Sequence, residues 1–367
     1  MSGRGGSVEA MGEETTRIPH LDDHRRQLRQ QGDGDAGPTS VLGVQQFFRE
    51  RSSGRPRPSH FEVFQRTWPC LYQRARSTKR PGVAVALFDP EAGRVETAIL
   101  RAQDAGDAKV PGHLVVGHHP LADLHAADTV LGLRHAVLID VPGEPAYRLV
   151  DLASLAGTRD ADGDALRAAR VQGFGAFELG RSYLHAVPLE AARALPPAPE
   201  AAWARLPEPG LTMLPRTGRR DGGVEGLTVV DLLGSTGGPA HSTSCSASVR
   251  PVAELCFVRV GQPKEEGNTV PVYGGMLREG ILLGRYDRCD AMLGEQSLSR
   301  MHALVLRLCG EVYLLDLASV NGCYWEVDGP GEEWDVGEVL DRRRVFRLDR
   351  PMSFLLGATS RLYWTPR

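Results

Sequence analysis

Lysine is nearly missing from this chain. Of 43 basic residues only Lys79, Lys109 and Lys264 are lysines, so its cationic chemistry rests on arginine. The bias is first a trace of a GC-rich coding sequence and only second a preference for the guanidinium fork, which suits carboxylates and phosphates. A surplus of positive charge is missing too: 46 Asp and Glu outnumber the 43 Lys and Arg, which argues against nucleic acid as a partner. The six cysteines (Cys70, Cys245, Cys256, Cys289, Cys309, Cys323) form no Cys-x-x-Cys pair, so neither a zinc framework nor a disulfide lattice is expected, and reduced thiols in a cytoplasm are. No run approaches the roughly eighteen apolar residues of a membrane span, and the first residues lack the apolar core of a secretory signal, so no membrane insertion is expected. The glycine-rich GSTGG at 234–238 is not followed by Gly-Lys-Ser/Thr, which removes the phosphate-loop reading. The histidines His113, His118, His119, His125 and His135 have no cysteine or paired carboxylate at ligand spacing, so no metal and no cofactor is expected. Neither a nucleophile with its base nor a metal site is visible, and the chain reads as a non-enzyme.

What is present is β texture in two blocks. Residues 1–80 read as a polar, disordered stretch followed by a helical segment, with apolar residues recurring raggedly up to Leu71. From residue 81 to 189 short apolar runs alternate with turn signals: VAVALFD, RVETAIL, HLVVG, HAVLIDV, YRLVDL, FGAFELG. Residues 190–250 turn rich in Ala, Pro, Gly and Ser, a linker composition. The β texture returns over 251–367 with ELCFVRV, GILLG, HALVLRL, EVYLLDL, MSFLLGA and RLYWT. Closely spaced strands of this kind predict an all-β chain of two sandwiches.

The two blocks repeat one another. Gly117 and Gly284 set the register; six residues on stand Asp123 and Asp290, eighteen on His135 and His302. VDLASLAG, ending at Gly157, then stands opposite LDLASVNG, ending at Gly322, and both blocks close on an apolar run at Gly180 and Gly357. One fold therefore occurs twice. The copies differ at polar positions: Arg285 faces His118, Ser299 faces Gly132, Arg300 faces Leu133 and Asn321 faces Ala156.

GILLGRYDRCDAMLGEQSLSRMHALV followed by LLDLASVNG resembles a forkhead-associated (FHA) domain, over roughly residues 252–367. The resemblance implies an eleven-stranded β-sandwich that holds a phosphothreonine peptide in loops at one end. It implies phosphate contacts from Arg285 and Ser299, a hold on the peptide main chain from Asn321 and a mainly structural role for His302. Arg300 beside them either points to solvent or positions the peptide, and Gly284 and Gly322 support the site, Gly322 by permitting the positive φ of a tight turn. Val320 departs from the pattern, since the family often places Thr or Ser there. The implied partner is a phosphothreonine-containing protein, a Ser/Thr kinase or its substrate, in bacterial kinase signalling. The chemistry agrees: a phosphothreonine carries about −1.5 to −2 charge on three acceptor oxygens, a guanidinium can pair with two of them, and a carboxamide satisfies both N–H and C=O of an extended backbone. On this reading residues 81–189 are a degenerate FHA-like copy and the chain is an adaptor. The alternative is a scaffold whose sandwiches assemble proteins without phosphate.

Overall fold

Strands dominate the computed structural model, which describes residues 57–105, 108–214, 250–326, 341–342 and 344–367. The polar stretch expected to be disordered, and the glycine- and serine-rich stretch before residue 250, lie outside the described residues. Two β-sandwiches account for most of the rest, as the repeat predicts.

In each sandwich one sheet lies on the outside. The first outer sheet runs, edge to edge, Ala165–Leu166, Thr158–Asp160, Gly175–Leu179, Ser182–Pro188, Val83–Asp89, Arg94–Leu100; the second runs Asp341–Arg342, Cys323–Glu326, Met352–Leu356, Ser360–Pro366, Ala253–Arg259, Asn268–Val272. The order is the same, strand for strand. The inner sheets match as well: Leu124–His125, Gly112–Gly117, Ala136–Asp140, Tyr147–Asp151, Ala168–Gln172 against Ala291–Met292, Ile281–Gly284, Ala303–Leu308, Glu311–Asp316, Val345–Arg347, with Gly210–Met213 added to the first edge. In both, a short parallel strand pairs beside the register glycine, Gly117 with His125 and Gly284 with Met292. Six and five strands give the second sandwich eleven among the described residues, the number the resemblance implies.

Side chains alternate across a strand, and here both faces of the inner sheets are apolar. Ile281, Leu283, Ala303, Val305 and Leu314 point into the core of the second sandwich with Phe257, Phe354 and Trp364. Leu282, Leu304, Leu306, Leu315 and Leu317 point the other way and meet Val115, Val137, Ile139, Val150 and Leu152 of the first. The two inner sheets thus pack face to face, and the chain has a third buried apolar layer between its sandwiches.

One helix, His60–Ser77, lies on the outer sheet of the first sandwich. Ser59 and Glu62 close its N-terminus reciprocally as a capping box, and Phe64, Trp68, Leu71 and Ala75, spaced to share one face, are fully buried on it. Residues 190–213, whose composition predicts linker, are folded instead: helices Leu189–Ala194 and Pro199–Trp203 and the strand Gly210–Met213. The reason is packing. Leu189, Ala192, Ala202 and Trp203 surround Phe64, Trp68 and Phe174, and the small alanines let two short helices approach a ring cluster that needs a cover. No helix among the described residues is long and apolar enough to cross a membrane.

Candidate functional site

The second sandwich's loops converge at one end of its inner sheet, and the sequence dictates how. Strand Ile281–Gly284 ends on a glycine because the neighbouring loop crosses there: a Cβ on Gly284 would sit 2.3 Å from Arg300 O and 3.0 Å from Ser299 O. The crossing joins the two loops, with Arg285 N–H donating to Ser299 O (3.2 Å) and Tyr286 N–H to Arg300 O (3.1 Å). Gly117 repeats this against Leu133 O and Gly132 O. Gly284→Ala should therefore push the loops apart, lowering stability by about 1–3 kcal/mol, the usual range for overpacking; urea unfolding of the full chain measures it.

His302 ties the third loop in. It is fully buried; its Nδ1 accepts from Ser299 N–H (3.2 Å), so the ring proton is on Nε2 and is donated to Gly322 O (3.0 Å). His135 makes the same pair of bonds with Gly132 and Gly157. In both copies the two ring nitrogens of the histidine bond loop backbone. Asp316 closes the turn that follows: its Oδ1 accepts from Ser319 N–H (2.9 Å) and its Oδ2 from Ser319 Oγ–H (2.6 Å), while Ser319 Oγ accepts from Gly322 N–H (3.0 Å). Asp151, Ser154 and Gly157 repeat that arrangement. The Asp and Ser side chains thus close the Asp–Leu–Ala–Ser turn, within which Ala318 and Ala153 lie at positive φ, 55° and 56°.

On this frame the four predicted contact residues come to one mouth. Ser299 is 8% exposed, and its Oγ accepts from Val320 N–H (3.1 Å). Asn321 is half-buried, its Nδ2 donating to Ser297 O (2.6 Å). Arg285 and Arg300 are exposed beside it, close enough that Arg300, after partial burial, lowers the Arg285 pKa from its ordinary value. Gly322, at φ 80°, turns the chain back into Cys323–Glu326.

The first copy keeps the frame and loses the chemistry. His118 stands in place of Arg285, its Nδ1 donating to Ala126 O (2.9 Å) and its ring stacked at 5.7 Å on His125. Leu133 is 37% exposed where the second copy has Arg300, and Leu155 47% exposed where it has Val320. In the second copy His302, Asp316 and Cys323 lie within reach of a common ion, but both ring nitrogens of His302 and both carboxylate oxygens of Asp316 are engaged in the bonds above.

Burial sets a pH dependence. It pushes His113 and His302 down to about 4 and His185 down to about 3. Their folded-state pKa lies below the unfolded value near 6.5, so the folded state binds fewer protons; stability is full above that value and falls as pH drops toward 4. At pH 5 the loss is on the order of 1–2 kcal/mol for each such histidine, read as a lower urea midpoint at pH 5 than at pH 7.5.

Sequence reasoning missed the residues that join the sandwiches here, Arg134, Arg288 and His113. Their only signal was that Arg134 and Arg288 break the repeat, facing Met301 and Leu121.

The family model for the FHA domain matches residues 281–329. No curated protein matches the chain. Among solved structures it is similar to the FHA domain of CT664 from Chlamydia trachomatis (17% identity, 29% of this chain and 96% of that one, TM-score 0.24). It is similar also to FHA-1 of Rv1747 from Mycobacterium tuberculosis (18%, 31% and 98%, 0.21) and to the FHA domain of an Arabidopsis thaliana hypothetical protein (20%, 34% and 93%, 0.25).

Proposed function

Because this chain is an FHA domain protein, we propose that its second sandwich binds phosphothreonine peptides and that the chain is an adaptor, not an enzyme, in bacterial Ser/Thr kinase signalling. One observation carries the reading: Arg285 and Arg300 stand together beside the hydroxyl of Ser299 and the amide of Asn321, while the same four places in the first copy hold His118, Gly132, Leu133 and Ala156 on an unchanged frame. In this reading Arg285 takes two phosphate oxygens, Ser299 donates a third bond, and Arg300 adds charge at the rim. The carboxamide oxygen of Asn321 receives a peptide N–H.

Phosphate is held here by charge-assisted bonds in a half-exposed mouth, so affinity must depend on the phosphate and fall with ionic strength. Library capture tests this: the full chain, immobilised, is offered peptides randomised around a central phosphothreonine and the same peptides unphosphorylated. Retention of the phosphorylated pool alone is expected; equal retention of both pools favours the scaffold reading, in which the loop end serves assembly without phosphate.

A further inference from the structure

Three consecutive carbonyls of the second sandwich's binding turn are held by the first sandwich. His113 Nε2 bonds Asp316 O at 2.7 Å, Arg134 Nε donates to Leu317 O at 2.5 Å, and Arg134 Nη2 donates to Ala318 O at 2.5 Å. These carbonyls lead directly into Ser319, Val320 and Asn321. Arg134 is 3% exposed, and burial lowers its pKa to about 10, so it is still charged at neutral pH. No carboxylate among the described residues lies within ion-pair distance of it, so the carbonyls are its main compensation. A buried guanidinium is tolerated only where its donors are met, which fixes where those carbonyls can be.

The turn needs such a hold. Ala318 sits at φ 55°, a conformation that residues with a Cβ adopt only when their surroundings impose it. Turning its carbonyl and that of Leu317 into the interface is what Arg134 accomplishes. The bonds within the turn, from Ser319 to Asp316 and from Gly322 to Ser319, then set the height of Val320 N–H, which bonds Ser299 Oγ, and of Asn321. The first sandwich receives the reciprocal contact, with Arg288 Nη1 donating to Ala153 O (3.2 Å) and Ser154 O (3.4 Å) of its own turn. The arginines are not repeat equivalents. Two copies of one fold have each acquired an arginine that grips the other's Asp–Leu–Ala–Ser turn.

We propose that the first sandwich, although stripped of phosphate-binding groups, is an integral part of the phosphopeptide site, with Arg134 as the positioning residue that holds the Leu317–Ala318 turn and through it Val320 and Asn321. This rests on the phosphopeptide reading of the second sandwich, and it adds that the degenerate copy acts on that site in cis, through the backbone, without touching the ligand. His113 supplements the hold at Asp316 O, and the paired Arg344 and Asp123 (2.6 and 2.8 Å) stand beside it.

The test uses the full chain and the tightest phosphothreonine peptide from the randomised library. Arg134→Ala should weaken binding roughly three- to thirtyfold, the range of coupling through residues that do not touch a ligand. It should also speed hydrogen exchange at the amides of Ser319, Val320 and Gly322 without speeding it in the strand Ala303–Leu308. Arg134→Lys, whose ammonium cannot span both carbonyls as the fork does, should fall between. Arg148→Ala removes another bond between the sandwiches, Arg148 Nη1 to Arg307 O (3.2 Å), remote from the turn, and should leave affinity as in wild type. Equal loss in Arg148→Ala and Arg134→Ala would reduce the effect to general loosening and overturn the proposal. So would a folded Arg134→Ala with wild-type affinity and wild-type exchange, where Arg285→Ala has lost binding. Should Arg134→Ala fail to fold, Arg134→Lys decides by the same readouts. Should wild type bind no phosphopeptide, the functional reading fails by itself, and exchange at the three turn amides still decides whether Arg134 holds the turn: acceleration supports the hold, no change overturns it.

Discussion

Arg285→Ala in the full chain should lower phosphothreonine-peptide affinity about ten- to a hundredfold, a net loss of about 1.5–3 kcal/mol, the contribution of a hydrogen bond to a charged group. Arg285 hangs from the loop crossing at Gly284 rather than from a packed core, since it is exposed and its backbone N–H alone is fixed to Ser299 O. Removing its side chain therefore leaves no cavity, and the unfolding midpoint should not move. Arg285→Lys should recover part of the affinity, because an ammonium restores charge without the two-pronged geometry. Fluorescence anisotropy with the labelled peptide gives the three affinities; a wild-type value for Arg285→Ala would remove the residue from the site.

Leu304→Asp should unfold or nearly unfold the chain, at a cost of about 4 kcal/mol or more. Leu304 is 2% exposed and faces the first sandwich. An aspartate there would bury an unpaired charge between two apolar sheets, whereas Leu304→Ala should cost about 2–5 kcal/mol by leaving a cavity. The prediction is specific to the interface: a second sandwich standing alone would expose Leu304 to water and would tolerate either change. Urea unfolding followed by circular dichroism distinguishes the two cases, and a loss under about 1 kcal/mol for Leu304→Asp would mean that the inner sheets do not meet in solution.

The repeat and the loop end of each sandwich are legible in the sequence because they rest on local constraints that few residues satisfy. Gly284 and Gly117 must be glycine for two loops to cross, His302 and His135 must donate and accept in the same places, and Asp316 and Asp151 must close the same turn. The packing of the sandwiches on each other leaves only a faint sign in the sequence, in ALVLRL and AVLIDV. A strand buried on one face alternates, whereas each of these runs opens with four successive apolar residues before its one charged residue, Arg307 or Asp140, which requires a partner on each side. Leu304 and Val305 look alike in sequence and point to different layers. The alanine- and proline-rich segment misled in the opposite sense: its composition suits a linker, and only the ring cluster of Phe64, Trp68 and Phe174, brought from distant positions, gives Ala192 and Ala202 something to cover. Arg134 shows in sequence only as a break in the repeat, for the same reason, since its partners are backbone atoms 183 and 184 residues away.

The most direct test of the account is calorimetric titration of the full chain with a phosphothreonine peptide and with its unphosphorylated twin. A frame repeated twice, with the proposed phosphate-binding residues in the second copy alone, predicts a single peptide bound per chain, no heat from the unphosphorylated twin, and affinity that weakens as salt rises. Saturation at two peptides per chain, or equal binding of the twin, would contradict it.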